Sequence, residues 1–435
     1  MTEPHLNLIA GAWVAGDHLS ENRNPSDVSD VIGLYAAATA GDVDRAATAA
    51  AEAQPAWFAQ GPQPRADLLD RVAARIEAAA TEIGTMLARE EGKILPEAIA
   101  EVRRAAQIFR FFAGEALRVP GEALASVRPG VDVEVTREPV GVVGLITPWN
   151  FPAAIPAWKI APALAYGNAV VLKPADLVPG TAHLLARILH EAGCPAGVFN
   201  LVMGPGSVVG RAMIDHPLIT AISFTGSALT GRTIARTAVE GMKKIQLEMG
   251  GKNPMVVMDD ADLDTAVAAC VNGAFFSTGQ RCTASSRLIV QAGIHDRFVE
   301  ALSGQAAALC VGPALAADSQ IGPVVSSAQL QGNLDYVALA RAEGCEVLGG
   351  ERLNGPTEGW FQRPALFLGA HNDMRVAREE IFGPCAAVIR VADFDEALAV
   401  ANDSPFGLSA GICTGSLKHA RAFRRGAKAG MVMVN

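Results

Sequence analysis

Three side chains, well separated along the chain, have the chemistry to make and break a covalent bond at a carbonyl carbon: Cys282, Asn150 and Glu248. Cys282 stands in "GQRCTASSR", among polar and hydroxylated residues that make poor walls for a dry pocket. Arg281 and a neighbouring helix start would favour its thiolate, the form that attacks carbonyls. Such an attack needs a donor for the oxyanion, and the side-chain amide of Asn150, in the proline-flanked turn "TPWNFP", is suited to supply it. A later attack by water needs a base, and Glu248 in "LEMGGKNP" is followed by two glycines that admit a ligand or a backbone. Each residue also has a plainer reading: a core thiol, a turn asparagine, a solvated carboxylate.

These groups need elements to position them. The first third reads as helical: "GDVDRAATAAAEAQPAWF" with Asp42 available as a cap, then "PRADLLDRVAARIEAAATEIG" and "PEAIAEVRRAAQIFRFFAGEAL". From "VDVEVTREPVGVVGLITPWN" onward, apolar strands alternate with helices: "NAVVLKP", "GVFNLVMG" and "ITAISFTG" each precede a helical stretch. That alternation predicts a parallel α/β sheet. A second series begins near Gly250–Gly251, where a domain boundary is expected. Residues 119–137 read as an exposed hairpin, an arm for another chain. The glycines of "GPGSVVG" (204–210) and "FTGSALTG" (224–231), with Lys173 and Asp176 of "VVLKPAD", fall at strand ends, where open α/β sheets bind ligands. The first of these is one residue longer than the usual dinucleotide fingerprint.

Composition narrows the class. The chain has 435 residues, half of them hydrophobic, and a net charge of −9. An acidic surface argues against nucleic-acid binding. Seven cysteines without a CxxC, and scattered histidines, fit a reducing compartment and predict neither a disulfide framework nor a metal site. The amino terminus lacks a signal-peptide pattern, so a cytoplasmic location is expected. The uncharged run Pro139–Trp158 carries four prolines and two glycines, which predicts strand and turn rather than a membrane span.

The ordered set "TPWNFP", "VVLKPAD", "FTGSALTG", "LEMGGKNP", "GQRC" and "EEIFGP" resembles the NAD(P)-dependent aldehyde dehydrogenase superfamily over essentially the whole chain. The resemblance implies two parallel-sheet Rossmann-like domains plus a small oligomerisation hairpin: a dinucleotide-binding domain (1–118 and 138–250), the hairpin (119–137) and a catalytic domain (251–435). It implies Cys282 as nucleophile, Asn150 in the oxyanion hole and Glu248 as the water-activating base. It implies NAD or NADP on Ile146, Thr147, Pro148, Trp149, Lys173, Ala175, Asp176, Gly206, Gly210, Phe224, Thr225, Gly226, Ser227, Thr230, Glu380 and Phe382. The carboxylate of Asp176 repels a 2′-phosphate, which leans the choice to NAD. Within the superfamily, "GQRCTASSR" and "KPADLVPG" resemble the branch acting on 2-oxoglutarate semialdehyde (2,5-dioxopentanoate), with Arg281 as the candidate partner for a substrate carboxylate. Succinate-semialdehyde relatives often carry an arginine shortly after "PWNFP", where this chain reads "AAIPAWK" with Trp158; succinate semialdehyde or another aldehyde stays as the alternative substrate. Family members form homodimers or homotetramers and run on past "GMVMVN", so a further carboxy-terminal segment is expected. A cofactor-binding protein without catalysis and a cysteine-dependent thioester hydrolase stand as the other readings.

Overall fold

The computed structural model describes residues 3–435. The chain divides into two compact units. Among the described residues the first comprises 3–23, 31–90 and 96–248, and the second 24–30, 91–95 and 249–435. The division at 248/249 lies two residues from the glycine pair. The short segments 24–30 and 91–95 group with the second unit, which local sequence pattern gave no reason to expect.

In the first unit a seven-stranded sheet runs in the order Lys244–Met249, Ile219–Gly226, Val142–Ile146, Ala169–Lys173, Phe199–Leu201, Asn7–Ile9 and Ala12–Val14. Pairing is parallel from Ile219–Gly226 through Phe199–Leu201. It turns antiparallel at the two amino-terminal strands. The central strands are almost continuously apolar because helices cover both faces; Ala169–Lys173 is buried along its whole length. The run Pro139–Trp158 resolves into the strand Val142–Ile146, a turn, and the start of the helix Ala154–Ala165. No helix of the described residues is long and apolar enough to cross a membrane.

The expectation of a purely helical first third needs correction. Residues 7–37 hold four strands, two in the main sheet and two, His18–Asn24 and Asp27–Ala37, in a sheet of their own. The first two are only three residues long, and "HLSENRN" shows no apolar alternation, so neither carries a strand signal. The cap of helix Ala40–Ala59 is Thr39, not Asp42. Asp42 accepts from the Thr39 backbone at 2.8 Å while its own N–H donates to Thr39 Oγ1 at 3.2 Å, a reciprocal capping box. Residues Glu122–Ala125 and Asp132–Val135 form a separate antiparallel hairpin, exposed at every position.

The second unit repeats the plan. Its sheet runs Glu346–Gly349, Ala365–Leu368, Cys385–Val391, Ser285–Gln291, Asn253–Val257, Ser409–Cys413 and Met431–Val434. All neighbours are parallel except the first pair. Two apolar layers sandwich it. One centres on Val256, Ile289, Phe367 and Phe423, the other on Val257, Leu288, Phe275 and Phe298.

Candidate active site

The first unit gathers most of the predicted cofactor residues at the carboxyl ends of its parallel strands. Ile146 pairs with both Lys173 and Phe224, so three strands end side by side. Thr147 follows Ile146, and its N–H donates to the Lys173 carbonyl at 3.1 Å. Thr147 Oγ1 is buried without a protein partner, an acceptor and donor awaiting a ligand or water. Lys173 is buried to 5% exposure, and its Nζ meets Asp176 Oδ1 at 2.8 Å. Gly206 lies alongside: a Cβ there would stand 3.9 Å from Lys173 Nζ. The extra residue of "GPGSVVG" is absorbed as a π-turn, Gly206–Gly210, continuous with the helix Arg211–Asp215. Ser227 caps the helix Ala228–Glu240; its Oγ accepts from Thr230 N at 3.3 Å and donates to Thr230 Oγ1 at 3.0 Å. A buried ammonium, an orphaned hydroxyl and a capped helix start on one sheet edge are the groups a dinucleotide requires, and the residues fit it.

Asn150 and Glu248 also belong to this unit. Asn150 is buried to 3% exposure in the turn leading to the helix Ala154–Ala165. That helix start has no side-chain cap of its own. Instead Glu101 Oε1, from the helix Leu95–Leu117, accepts from Ala153 N and Ala154 N at 2.9 and 3.1 Å. The turn is thereby locked to a second helix. Glu248 lies on the exposed face of the edge strand Lys244–Met249 and accepts from Gln246 Nε2 at 2.9 Å. Gln246 Oε1 in turn accepts from Lys159 Nζ at 3.1 Å, and Lys159 donates to Ser223 Oγ at 2.6 Å. Burial pulls the Lys159 ammonium down to about 8, against the opposing pull of the Glu248 charge. Sequence reading passed over Lys159; the only signal was a lysine inside an otherwise apolar helix.

Cys282 sits in the second unit. The helix Leu263–Phe275 gives way to a tight turn in which Ser277, Thr278 and Gly279 are all left-handed, with φ of 51°, 56° and 64°. Two of the three are not glycine, so this conformation costs energy that the surroundings must repay. They do so by hydrogen bonds: Thr278 Oγ1 to the Gly322 carbonyl at 3.1 Å, and Val325 N to Gln280 Oε1 at 3.0 Å. Gly279 has no room for a side chain, since a Cβ would come within 2.2 Å of the Gly383 oxygen. Beyond the turn, Asn253 Nδ2 donates to the carbonyls of Cys282 and Ala284 at 2.8 and 2.9 Å, and Asn253 Oδ1 accepts from Ser409 N at 3.1 Å. Asn253 had no sequence signal beyond its place after the glycine pair.

Cys282 is half-buried. Burial pushes five of the other six thiols away from reactivity: Cys194 and Cys385 up to about 12, Cys413 up to about 11, Cys345 and Cys270 upward as well. Arg281 directs Nη2 to the carbonyls of Asn272 and Gly273, at 2.5 and 2.9 Å, and so closes the end of the preceding helix.

Glu380 and Phe382 share this unit. Glu380 Oε1 accepts from Gly251 N at 2.9 Å. Burial raises its carboxyl above the ordinary range, opposed by that bond and by Lys252. Both glycines are needed for the approach: a Cβ on Gly250 would fall 1.8 Å from Glu380 Oε2, and one on Gly251 within 2.9 Å of the Cys282 carbonyl. Phe382 has φ 61°, a strained conformation for an aromatic residue. Among the described residues, no group of three His, Cys, Asp or Glu side chains is arranged to hold a metal ion.

The sequence model of the aldehyde dehydrogenase family matches residues 13–435. The chain belongs to the aldehyde dehydrogenase family. It is 46% identical over 437 aligned residues to the alpha-ketoglutaric semialdehyde dehydrogenase of Bacillus subtilis (strain 168), covering 99% of this chain and 89% of that protein. It is 42% identical to the alpha-ketoglutarate semialdehyde dehydrogenase of Haloferax volcanii, covering 100% of this chain and 91% of the other. Among solved structures, a betaine aldehyde dehydrogenase from Staphylococcus aureus in complex with NAD+ superimposes with a TM-score of 0.97 at 34% identity, covering 99% of this chain and 87% of that one. This aldehyde dehydrogenase is therefore an oxidoreductase that acts on an aldehyde with a nicotinamide dinucleotide.

Proposed function

We propose that this aldehyde dehydrogenase oxidises 2-oxoglutarate semialdehyde to 2-oxoglutarate, with NAD+ as the preferred acceptor. The observation that carries the substrate is the similarity, across nearly the whole chain, to two enzymes named for that semialdehyde. Cys282 adds to the aldehyde carbon and gives a thiohemiacetal, whose oxyanion receives a hydrogen bond from the Asn150 amide. The bound nicotinamide supplies a two-electron acceptor. Loss of hydride from the adduct leaves a thioester on Cys282. Glu248 then takes a proton from water, the resulting hydroxide breaks the carbon–sulfur bond, and the thiolate is restored. The strained turn bearing Cys282 and its Asn253 clamp serve this chemistry by fixing the nucleophile's backbone. A donor lost from such an oxyanion site costs about 10²–10³ in rate.

NAD+ is favoured because the Lys173–Asp176 pair sets a carboxylate beside the position a ribose would take, where a 2′-phosphate is repelled. The exposed hairpin Glu122–Ala125 and Asp132–Val135 supports assembly into a homodimer or homotetramer, since an isolated two-stranded ribbon gains stability by pairing with another chain. The test is a panel of 2-oxoglutarate semialdehyde, succinate semialdehyde and uncharged aldehydes with each cofactor, read at the absorbance of reduced nicotinamide. The expected result is the highest kcat/KM with 2-oxoglutarate semialdehyde and NAD+. A higher value with succinate semialdehyde or a neutral aldehyde overturns the substrate assignment.

A further inference from the structure

The helix Ala154–Ala165 is buried or half-buried at every position except Trp158, which is 44% exposed. An indole left open on an otherwise buried helix, directly after the Asn150 turn, is out of keeping with a core role. Two side chains pack on it. The Phe112 ring lies 6.4 Å away between centroids, nearly perpendicular, and is itself met at 5.1 Å by Phe111, which is 58% exposed. Arg104 lays its guanidinium over the indole, 5.3 Å from the ring centre.

The placement of Arg104 is built rather than incidental. Glu101, Arg104, Ile108 and Phe112 recur at helical spacing on Leu95–Leu117, so they form one stripe. Glu101 anchors that stripe to the start of the Trp158 helix through its bonds to Ala153 and Ala154. The other arginines nearby are committed to acids on a different helix: Arg103 pairs with Glu77 and Arg110 with Asp70. Among the described residues Arg104 pairs with no carboxylate. Its single hydrogen bond goes to Gln107 Oε1 at 3.2 Å. A guanidinium held on an aromatic platform, with only Nη1 engaged by a neutral amide, is suited to receive an external carboxylate.

We propose that Arg104, stacked on Trp158, binds the carboxylate of the aldehyde substrate and is the residue that selects acidic aldehydes. This rests on the reading of the protein as a semialdehyde dehydrogenase and takes Arg104 in place of Arg281, whose Nη2 donates to the carbonyls of Asn272 and Gly273. Apolar walls from Phe112 and Trp158 line the chain of the substrate, and the guanidinium receives its end.

The test uses the full-length enzyme and the variants Arg104→Met, Arg104→Lys and Arg281→Met. For each, kcat/KM is measured with 2-oxoglutarate semialdehyde and with pentanal, and 2-oxoglutarate is titrated as an inhibitor of pentanal oxidation. Size-exclusion chromatography and thermal unfolding accompany each variant. The expected result is that Arg104→Met lowers the semialdehyde-to-pentanal ratio of kcat/KM by about 10–100-fold, the worth of a charge-assisted pair. The fall appears in KM, the inhibition constant for 2-oxoglutarate rises in parallel, and lysine restores part of both. If the wild type selects the semialdehyde and Arg281→Met, not Arg104→Met, abolishes that selection, the Arg104 assignment is wrong while the substrate reading stands. If the wild type shows no preference for the semialdehyde, the substrate reading falls. Arg104 then retains its role only if Arg104→Met still weakens inhibition by 2-oxoglutarate, and loses it if inhibition is unmoved. Equal losses with both aldehydes, together with a change in oligomer mass, assign the patch to subunit contact and overturn the proposal.

Discussion

Asn253 Nδ2 lies 2.8 Å from the carbonyl oxygen of Cys282, and the same amide nitrogen holds the Ala284 carbonyl at 2.9 Å. One side chain thus staples both flanks of the candidate nucleophile. Asn253→Ala leaves two inward-facing carbonyls without this donor and frees the backbone on which the sulfur is mounted. We expect kcat to fall by about 10²-fold, because a small misplacement of a reacting group costs that much. Thermal unfolding should reveal a loss of about 1–3 kcal/mol. A variant with normal kcat and lowered melting temperature would reduce Asn253 to a purely structural bond.

Glu248→Gln keeps the shape of the carboxylate and its neighbour Gln246 but removes the base. A burst of reduced nicotinamide should persist in the first turnover, while steady-state turnover drops by about 10²–10⁴-fold. Rapid-mixing absorbance separates the two phases, and disappearance of the burst itself would place Glu248 before hydride transfer instead of after it.

Lys159 titrates near 8 in the folded protein. Below that pH it is an ammonium donating to Ser223 and Gln246; above it the charge beside Glu248 is gone. Its folded pKa lies below the unfolded value, so stability grows as pH rises from about 8 towards 10.5. A limb in the pH profile of kcat centred near 8 is expected, and Lys159→Met should erase it. Persistence of that limb in the variant would assign it to another group.

His183 packs between Trp13 and His5, with ring centroids 4.8 Å from each, and burial lowers it to about 4. The unfolded chain takes up this proton near 6.5 and the folded chain only near 4. Stability therefore declines as pH falls through that window, by roughly 3 kcal/mol if His183 acts alone. His183→Phe keeps the aromatic packing without the titration. Its melting temperature should lose less than the wild type between pH 6.5 and 4.5, as followed by circular dichroism, and parallel curves for the two proteins would contradict the assignment.

Asp176→Asn removes the negative charge next to Lys173 while preserving shape. We expect KM for NADP+ to fall by about 10-fold relative to NAD+, since the repulsion of a 2′-phosphate is relieved and Lys173 is freed to meet it. Initial rates with both cofactors at one aldehyde concentration settle the ratio.

The legible part of this protein is the part written in local pattern. Buried parallel strands announce themselves as apolar runs, and the residues at their ends (Thr147, Lys173, Gly226) take their place once the strands are drawn. The amino-terminal strands escaped because three residues hold no periodicity and "HLSENRN" is polar throughout. Asn253, Lys159 and Arg104 escaped for a different reason. Their partners are tertiary: Asn253 reaches 29 residues ahead and Lys159 reaches 64. Arg104 finds its indole on another helix. Spacing along the chain says nothing about such meetings. Arg281 shows the same limit from the other side: it adjoins Cys282 in sequence, while its Nη2 reaches back to the Asn272 and Gly273 carbonyls.

Five sulfurs are held as neutral thiols by their surroundings, while Cys310 is exposed and Cys282 half-open. With Cys310 replaced by serine, a single alkylating label becomes a site-directed reporter, and oxidative inactivation of the enzyme becomes traceable to one atom.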